Sequence, residues 1–188
     1  MGVTRHTKMA PAGIQKQYQR EFIGAQTMYE GEGQPTLTTQ GISPVWQMDA
    51  GAKMTVLADW GIPLDMIGGK DFWVYPIFTM STNVFANIRF GIDYLPMYRG
   101  VSIAAVPTTI ENTIAADGTG TIIPRRSEWL TIEGWRVAGK EDWFQMNDFA
   151  GRIANMQLEI YRDGASLMDE HGGNLYLQGL AILYEAFI

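Results

Sequence analysis

The C-terminal stretch of the chain is LYLQGLAILYEAFI, residues 175–188. Apolar side chains fall on both faces of an extended strand here: Leu175, Leu177, Ala181, Leu183 and Phe187 on one face, and Tyr176, Leu180, Ile182 and Tyr184 on the other. Only a strand in the centre of a packed sheet, or one whose outer face meets a partner, tolerates this pattern. The stretch therefore predicts a central strand of a β-rich domain.

Upstream segments show the alternation that is typical of half-buried strands. Residues 54–60, 88–94 and 156–161 each alternate apolar with more polar side chains. About eight to ten such short strands follow one another, separated by Gly, Pro and Asp turns, with no helix and no repeat. The pattern predicts an all-β, antiparallel two-sheet sandwich, but alternation alone does not separate an immunoglobulin-like order of strands from a jelly roll.

Two local signals refine this prediction. Pro76 lies inside the aromatic and β-branched run 72–80 and cannot donate a ladder hydrogen bond, so this strand should lie at an edge or carry a bulge. The segment 116–120 contains an Asp-Gly turn signal, and a hairpin leading into residues 121–123 is plausible.

The first 45 residues differ from the rest of the chain, since they are rich in Gln, Thr and Gly and carry three prolines. We expect residues 1–45 to form an extended arm and residues 46–188 to form the domain. A short amphipathic helix over 14–28 is possible, because apolar residues recur there at helical spacing. We expect the arm to order only on docking, so that its deletion leaves the domain folded.

The composition favours protein contacts. Hydrophobic residues make up 46% of the chain and charged residues only 18%, with 6 Trp, 8 Tyr, 8 Phe and 11 Met. One small core does not readily absorb so much aromatic area, so we expect oligomerisation. The formal net charge of −6 and the absence of Lys/Arg runs argue against a nucleic-acid partner.

No apolar run approaches the ~18 residues of a membrane-spanning helix, and the N-terminus lacks the apolar region of a signal peptide. We therefore expect no membrane partner and synthesis in a cytoplasm. The chain has no cysteine, which excludes disulfides, thiol catalysis and thiolate-held zinc.

Catalytic signals are weak. The two histidines, His6 and His171, have no nearby nucleophile, and the common phosphate-loop, dinucleotide, nucleophile-elbow and zincin motifs are absent. We expect a non-enzymatic protein without a cofactor. The loop after Tyr161 is interpreted as a polar surface loop, with a calcium ion as the alternative ligand of four residues: Asp163, Asp169, Glu170 and Asn174.

The six tryptophans are the richest feature for recognition. In a sandwich they can form a sugar-stacking platform, although an aromatic residue in a sheet more often belongs to the core or to a subunit interface. We expect the following aromatic residues to make protein contacts: Tyr18, Phe22, Tyr29, Trp46, Trp73, Tyr75, Tyr184 and Phe187.

Several motifs resemble a pattern of structural proteins of tailed bacteriophages. The pattern covers about residues 60–187 and includes these segments: GIPLD (61–65), GKD (69–71), VYP (74–76), NIRFGIDY (87–94), IYRDGA (160–165), GNLYL (173–177) and LYE (183–185). Ala86 stands where a glycine usually precedes Asn87, and Leu64 and Met66 are more apolar than is usual. None of these positions is catalytic in the pattern.

The resemblance implies a jelly-roll virion component. One role consistent with it is a capsid decoration or cement protein, which binds the outside of the head as a homotrimer, contacts the major capsid protein and stabilises the shell. The alternative from another class is a carbohydrate-binding jelly roll of a tail or fibre, with at least two tryptophans on one open face.

Overall fold

The computed structural model describes residues 16–63, 65–66, 70–97, 106–132 and 155–187. Over these residues the chain forms short 3-10 turns at Ala25–Thr27 and Arg126–Glu128, and the following strands: β1 Lys16–Gly24, β2 Tyr29–Glu30, β3 Thr36–Gln40, β4 Ser43–Met48, β5 Lys53–Gly61, β6 Phe72–Met80, β7 Ala86–Met97, β8 Thr108–Ala116, β9 Leu130–Ile132, β10 Asn155–Asp163 and β11 Leu175–Phe187.

The strands form two antiparallel sheets that pack as a sandwich. The first sheet has the order β3-β4-β11-β6-β9, with β1 also paired to β11, and the second has the order β2-β5-β10-β7-β8. From β4 to β11 the chain passes between the sheets at almost every connection, which is the arrangement of a jelly roll. The prediction of an all-β jelly-roll sandwich is confirmed.

The core lies between the two inner faces and consists of alternate residues of each strand. In β7 the side chains of Ile88, Phe90 and Ile92 are completely buried, and β5 and β10 supply Val56 and Ile160 in the same way. Burying a side chain of this size stabilises a domain by about 1.5–3 kcal/mol relative to exposure. The apolar residues of these strands therefore recur with a period of two because they lie on the face that packs against the other sheet.

Strand β11 is the central strand of the first sheet, as its apolar pattern predicted. One edge pairs with β6, and the other edge pairs first with β4 and then with β1. The predicted assignment of its faces is wrong for its second half, because the register shifts between Leu177 and Gly179. Beyond that bulge Leu180, Ile182 and Tyr184 face the core.

The prediction of an N-terminal arm is wrong for residues 16–45, and so is the helix over 14–28 for its described part. Residues Lys16–Gly24 form β1, which pairs with Gly179–Phe187 over its whole length. Tyr18 and Phe22 are four residues apart, a spacing that puts two side chains on one side of a helix and also on one side of a strand. The spacing therefore could not distinguish the two, and the segment forms a strand because it pairs with β11. Residues 1–15 lie outside the described part of the chain.

Pro76 and the segment after β8 show how the sheet tolerates irregularity. The Phe78 amide donates to the Ile122 carbonyl at 3.2 Å, so the ring nitrogen of Pro76, two residues earlier, faces the same edge of β6. The pairing of β9 covers only Phe72–Val74, which leaves that edge unpaired at Pro76 among the described residues. Ile122 therefore bridges to the first sheet, and the hairpin expected after residue 120 does not form.

A completely buried ion pair fixes the loop between β10 and β11. Arg162 donates to both carboxylate oxygens of Asp169, at 2.8 and 2.7 Å, and also to the carbonyls of His171 and Gly173. The His171 ring accepts the Gly173 amide at 3.0 Å, so its other nitrogen donates to the Val84 carbonyl at 3.1 Å. These bonds satisfy the guanidinium and tie the loop to the segment before β7.

We expect Asp169→Asn to destabilise the fold by about 3–5 kcal/mol, because it leaves the buried Arg162 charge uncompensated. Chemical denaturation at neutral pH measures this change. The matched control is Asp163→Asn at the end of β10, where the same loop begins, which should change stability by no more than about 0.5 kcal/mol. Equal effects of the two substitutions would show that the buried pair does not hold the loop.

We expect deletion of residues 1–24 to lower the melting temperature by about 10 °C or more, since it strips β1 from β11 and each kcal/mol corresponds to about 2–4 °C at this size. The control deletion of residues 1–15 keeps every described strand and should melt within a few degrees of the full chain. Circular dichroism melts of the two proteins make the comparison. Similar melting temperatures would show that β1 is dispensable.

Candidate functional site

The outer surface of the first sheet is aromatic. Six aromatic residues lie there, which we call the aromatic face: Tyr18, Phe22, Trp73, Tyr75, Trp129 and Phe187. Alternation along the strands places five of them, and Trp129, just before β9, joins them by stacking on Tyr75. Phe22 and Tyr75 flank Ala181 of β11 in one row across the strands. Small residues in the centre of the row let the neighbouring rings cover the strand, since a Cβ at Gly179 would collide with the Phe22 ring.

The rings of the aromatic face are held in fixed contacts. Tyr75 and Trp129 are stacked with centroids 4.5 Å apart, and the Trp129 indole donates to the Pro124 carbonyl at 2.9 Å. Tyr18 meets the edge of Trp73 at 5.8 Å, and the Arg126 guanidinium lies 5.6 Å from the same indole. Tyr18 and Phe22 nevertheless remain 53% and 56% exposed. A preorganised apolar surface of this kind is typical of a contact area.

The predicted contact residues are divided by the structure. Tyr18, Phe22, Trp73, Tyr75 and Phe187 lie together on the aromatic face, whereas Tyr29 lies on the second sheet. Tyr75 is only 4% exposed, because Trp129 stacks on it, so the prediction of a contact is wrong for Tyr75 itself.

The prediction is wrong for Trp46 and Tyr184, which are only 5% and 4% exposed. The Trp46 indole donates to the Ala25 carbonyl at 2.9 Å, and the Tyr184 ring packs beside Trp60 in the core. Both residues are on core-facing positions of their strands, which composition could not distinguish from outer ones.

The tryptophans do not form an open platform among the described residues. Trp46 and Trp60 are buried. Trp73 and Trp129 share the outer surface of the first sheet, but each is half-buried and already contacts neighbouring side chains. Trp135 and Trp143 lie outside the described residues.

A groove with a volume of about 380 Å³ crosses the outer surface of the second sheet. We call it the polar groove; the side chains and strand segments that line it belong to Tyr29, Leu57, Ala58, Asp59, Asp93, Leu95, Pro107, Gln157, Leu158 and Glu159. Tyr29, Leu57, Glu159 and Asp93 form one row across four strands. Asp59, Gln157 and Leu95 form the next row.

Polar and apolar groups alternate across the polar groove. Tyr29 is 62% exposed and Leu57 40% exposed, while Asp59 and Gln157 are exposed beside them. One carboxylate oxygen of Asp93 makes no hydrogen bond with the described residues, and the other lies 4.0 Å from the Lys53 ammonium. The groove therefore offers several acceptors, an amide that both donates and accepts, and an exposed ring.

A charged network borders the groove on the next row. The Tyr161 ring lies over Gly91, where a Cβ would collide with it, and its hydroxyl donates to Glu111 at 2.7 Å. Arg89 donates to the other oxygen of Glu111 at 2.6 Å, and the Lys53 ammonium lies 3.8 Å from the Tyr161 ring centre. Burial, reinforced by Glu111, raises the pKa of Tyr161, and the bond from Tyr161 lowers the pKa of Glu111.

We expect Glu111→Gln to lower the pKa of Tyr161, although burial keeps that pKa above its ordinary value of about 10. An alkaline NMR titration of the protein with ¹³C-labelled tyrosine follows each phenol separately. The matched control is Glu21→Gln. Glu21 lies 3.4 Å from the Tyr184 hydroxyl, whose pKa is raised to about 12 mainly by burial.

The control should lower the pKa of Tyr184 and leave that of Tyr161 unchanged. Because the folded state holds the Tyr184 proton more tightly than the unfolded chain, its contribution to stability is lost as the pH rises from about 10 to about 12. A Tyr161 pKa that does not respond to Glu111→Gln would contradict the role of this hydrogen bond.

Two of the four residues considered as calcium ligands have other side-chain partners. Asp169 is paired with Arg162, and the Glu170 carboxylate accepts the Asn87 amide at 2.9 Å. Asn174 exchanges backbone hydrogen bonds with Ser81, and Asp163 stands at the end of β10. Within the described ranges no group of three or more His, Asp or Glu side chains is placed to hold a metal ion. The loop is instead a rigid connection.

His6 lies outside the described residues. The ion pair of Arg162 with Asp169 was missed, and an arginine on the core side of a β-strand, seven residues before an aspartate, was its only signal. The polar groove was also missed, because its residues come from four strands whose register is not visible in the sequence.

No helix in the described part of the chain has the length and apolarity to cross a membrane.

No protein-family model and no curated protein matches the chain. Among solved structures it is similar to a family 11 carbohydrate-binding module from Clostridium thermocellum in complex with a β-1,3-1,4-mixed-linked tetrasaccharide, at 15% identity and a TM-score of 0.40, over 87% of this chain and 94% of that one. It is also similar to TmCBM61 in complex with β-1,4-galactotriose, at 7% identity and a TM-score of 0.30, over 89% and 86%. Likeness at this distance transfers no ligand.

Proposed function

We propose that the chain is a non-enzymatic virion structural protein of a tailed bacteriophage, a decoration or cement protein that binds the outside of the capsid as a homotrimer. The observation that carries this proposal is the aromatic face, where a sheet exposes fixed rings in place of the usual polar side chains. The motif resemblance over residues 60–187 supports the same class of protein.

The aromatic face is the surface for self-association in this proposal. Its centre is apolar, because β11 places Gly179, Ala181 and Leu183 between β1 and β6, and Glu185 accepts the Tyr18 hydroxyl at one end. Arg20 lies on the same face between Tyr18 and Phe22, and Arg126 lies over Trp73, so both supply cations to the proposed interface. A stable interface buries about 800 Å² on each partner, and one face of a sheet of this size provides such an area.

The N-terminal residues 1–15 provide the attachment to the capsid in this proposal. They lead directly into β1, which carries Tyr18 and Phe22 on the aromatic face, so they start at the edge of the trimer interface. Three copies then engage the lattice at once, and weak individual contacts combine through their effective concentration.

We expect light scattering to give a mass three times that of the 21.0 kDa chain. Phe22→Ser should weaken self-association about thirtyfold, as for an interface aromatic worth about 2 kcal/mol. Tyr29→Ser is the matched control, since Tyr29 is equally exposed on the opposite sheet and should leave the trimer intact. A monomer, or equal loss with both variants, would contradict self-association through the aromatic face.

Attachment is tested separately by pelleting the protein with empty capsid shells of the phage that encodes it. The full chain should co-sediment, and deletion of residues 1–15 should leave a trimer that stays in the supernatant. A full-length trimer that does not pellet would contradict the decoration role while leaving self-association standing.

A further inference from the structure

We propose that the polar groove of the second sheet is a binding site for a neutral oligosaccharide chain. This inference does not rest on the capsid proposal, because the groove and the aromatic face lie on opposite surfaces of the sandwich.

The chemistry of the lining selects a polyhydroxylated ligand. Asp59, Asp93 and Glu159 are acceptors for hydroxyl groups, and the Gln157 amide both donates and accepts. Hydrogen bonds from hydroxyls to ionised carboxylates are about twice as strong as neutral ones.

The apolar part of the lining fits the C–H surfaces of sugar rings. Tyr29 and Leu57 are adjacent in one row and both project into solvent, while Leu95 and Pro107 line the opposite end. Pockets for small ligands commonly combine such apolar area with a few placed polar groups. The row from β2 to β7 spans three strand spacings, about 14 Å, so the groove accommodates a chain of linked rings.

The charge of the groove determines which chains it excludes. Its lining contains three carboxylates and no Lys, Arg or His among the described residues, and Lys53 beside it is already close to Asp93 and Tyr161. Phosphorylated, sulfated and uronic-acid polymers are therefore repelled. A cationic peptide would meet no such repulsion, but it would not use the alternation of apolar rows with hydroxyl acceptors.

Native affinity electrophoresis tests the proposal with the full-length protein and a panel of soluble neutral polysaccharides, namely glucans, galactans and mannans. At least one should retard the protein, and Glu159→Gln and Tyr29→Ser should each weaken that binding about tenfold or more, the loss expected for a ligand hydrogen bond or a stacked ring. Ile42→Ser, in the exposed turn between β3 and β4 and outside both surfaces, should bind like the unmodified chain.

Salt separates sugar from cation binding. Retardation by the neutral polysaccharide should be the same at about 0.05 and about 0.5 M NaCl, whereas binding of oligolysine through exposed charges would be largely screened. The proposal is overturned by three results: no panel member retards the protein, retardation is insensitive to Glu159→Gln and Tyr29→Ser, or only oligolysine binds. None of these results bears on whether the protein forms a trimer.

Discussion

The pairing of β11 along both of its edges is the constraint on which the rest of the structure depends. Because β6 occupies one edge while β4 and β1 share the other, β11 aligns segments of the chain that are far apart in sequence. The bulge lies between Leu177 and Gly179, at the point where the partner of β11 changes from β4 to β1. It also changes which residues of β11 face the core. Without that shift Leu180 and Ile182 would face outward, and the first sheet could not close over the second.

This pairing also explains the aromatic face. A central strand that is covered by neighbouring rings needs small residues, and β11 has Gly179 and Ala181 at the positions opposite Gly24 and Phe22. The rings of β1 and β6 lean over these positions instead of turning into the core. The sequence pattern attributed the apolar outer face of β11 to a central location or to a partner. The strand is central, and the rings that cover its outer surface include the exposed side chains of Tyr18 and Phe22.

The sequence predicts local structure well where one face of a strand is buried, and poorly where pairing decides the outcome. The alternation in β5, β7 and β10 identified their core residues, because burial of one face imposes a period of two. The sequence pattern did not identify β1 as a strand, because Tyr18 and Phe22 are four residues apart and such residues share one side of a helix and of a strand alike. The pattern also did not identify the burial of Arg162, because a buried guanidinium is recognisable only once Asp169 and three carbonyl groups are known to surround it.

The binding surfaces were predicted in part for the same reason. Aromatic residues could be named as candidates, but whether each lies inside, like Tyr184, or outside, like Phe22, depends on the register of the strands.

The two proposed activities are compatible because a sandwich has two independent outer surfaces. The sheets lie about 10 Å apart, so residues on the aromatic face and residues of the polar groove share no contact across the core. Self-association through the first sheet places the second sheet on the periphery of the assembly, where the groove stays accessible to a long ligand. A trimer then presents three grooves, and three weak sites on one particle bind a repetitive polymer more tightly than a single site does. In these proposals the apolar rings serve the first surface, and the carboxylates of Asp59, Asp93 and Glu159 serve the second. The two proposals thus assign apolar and polar contacts to opposite sides of one small domain.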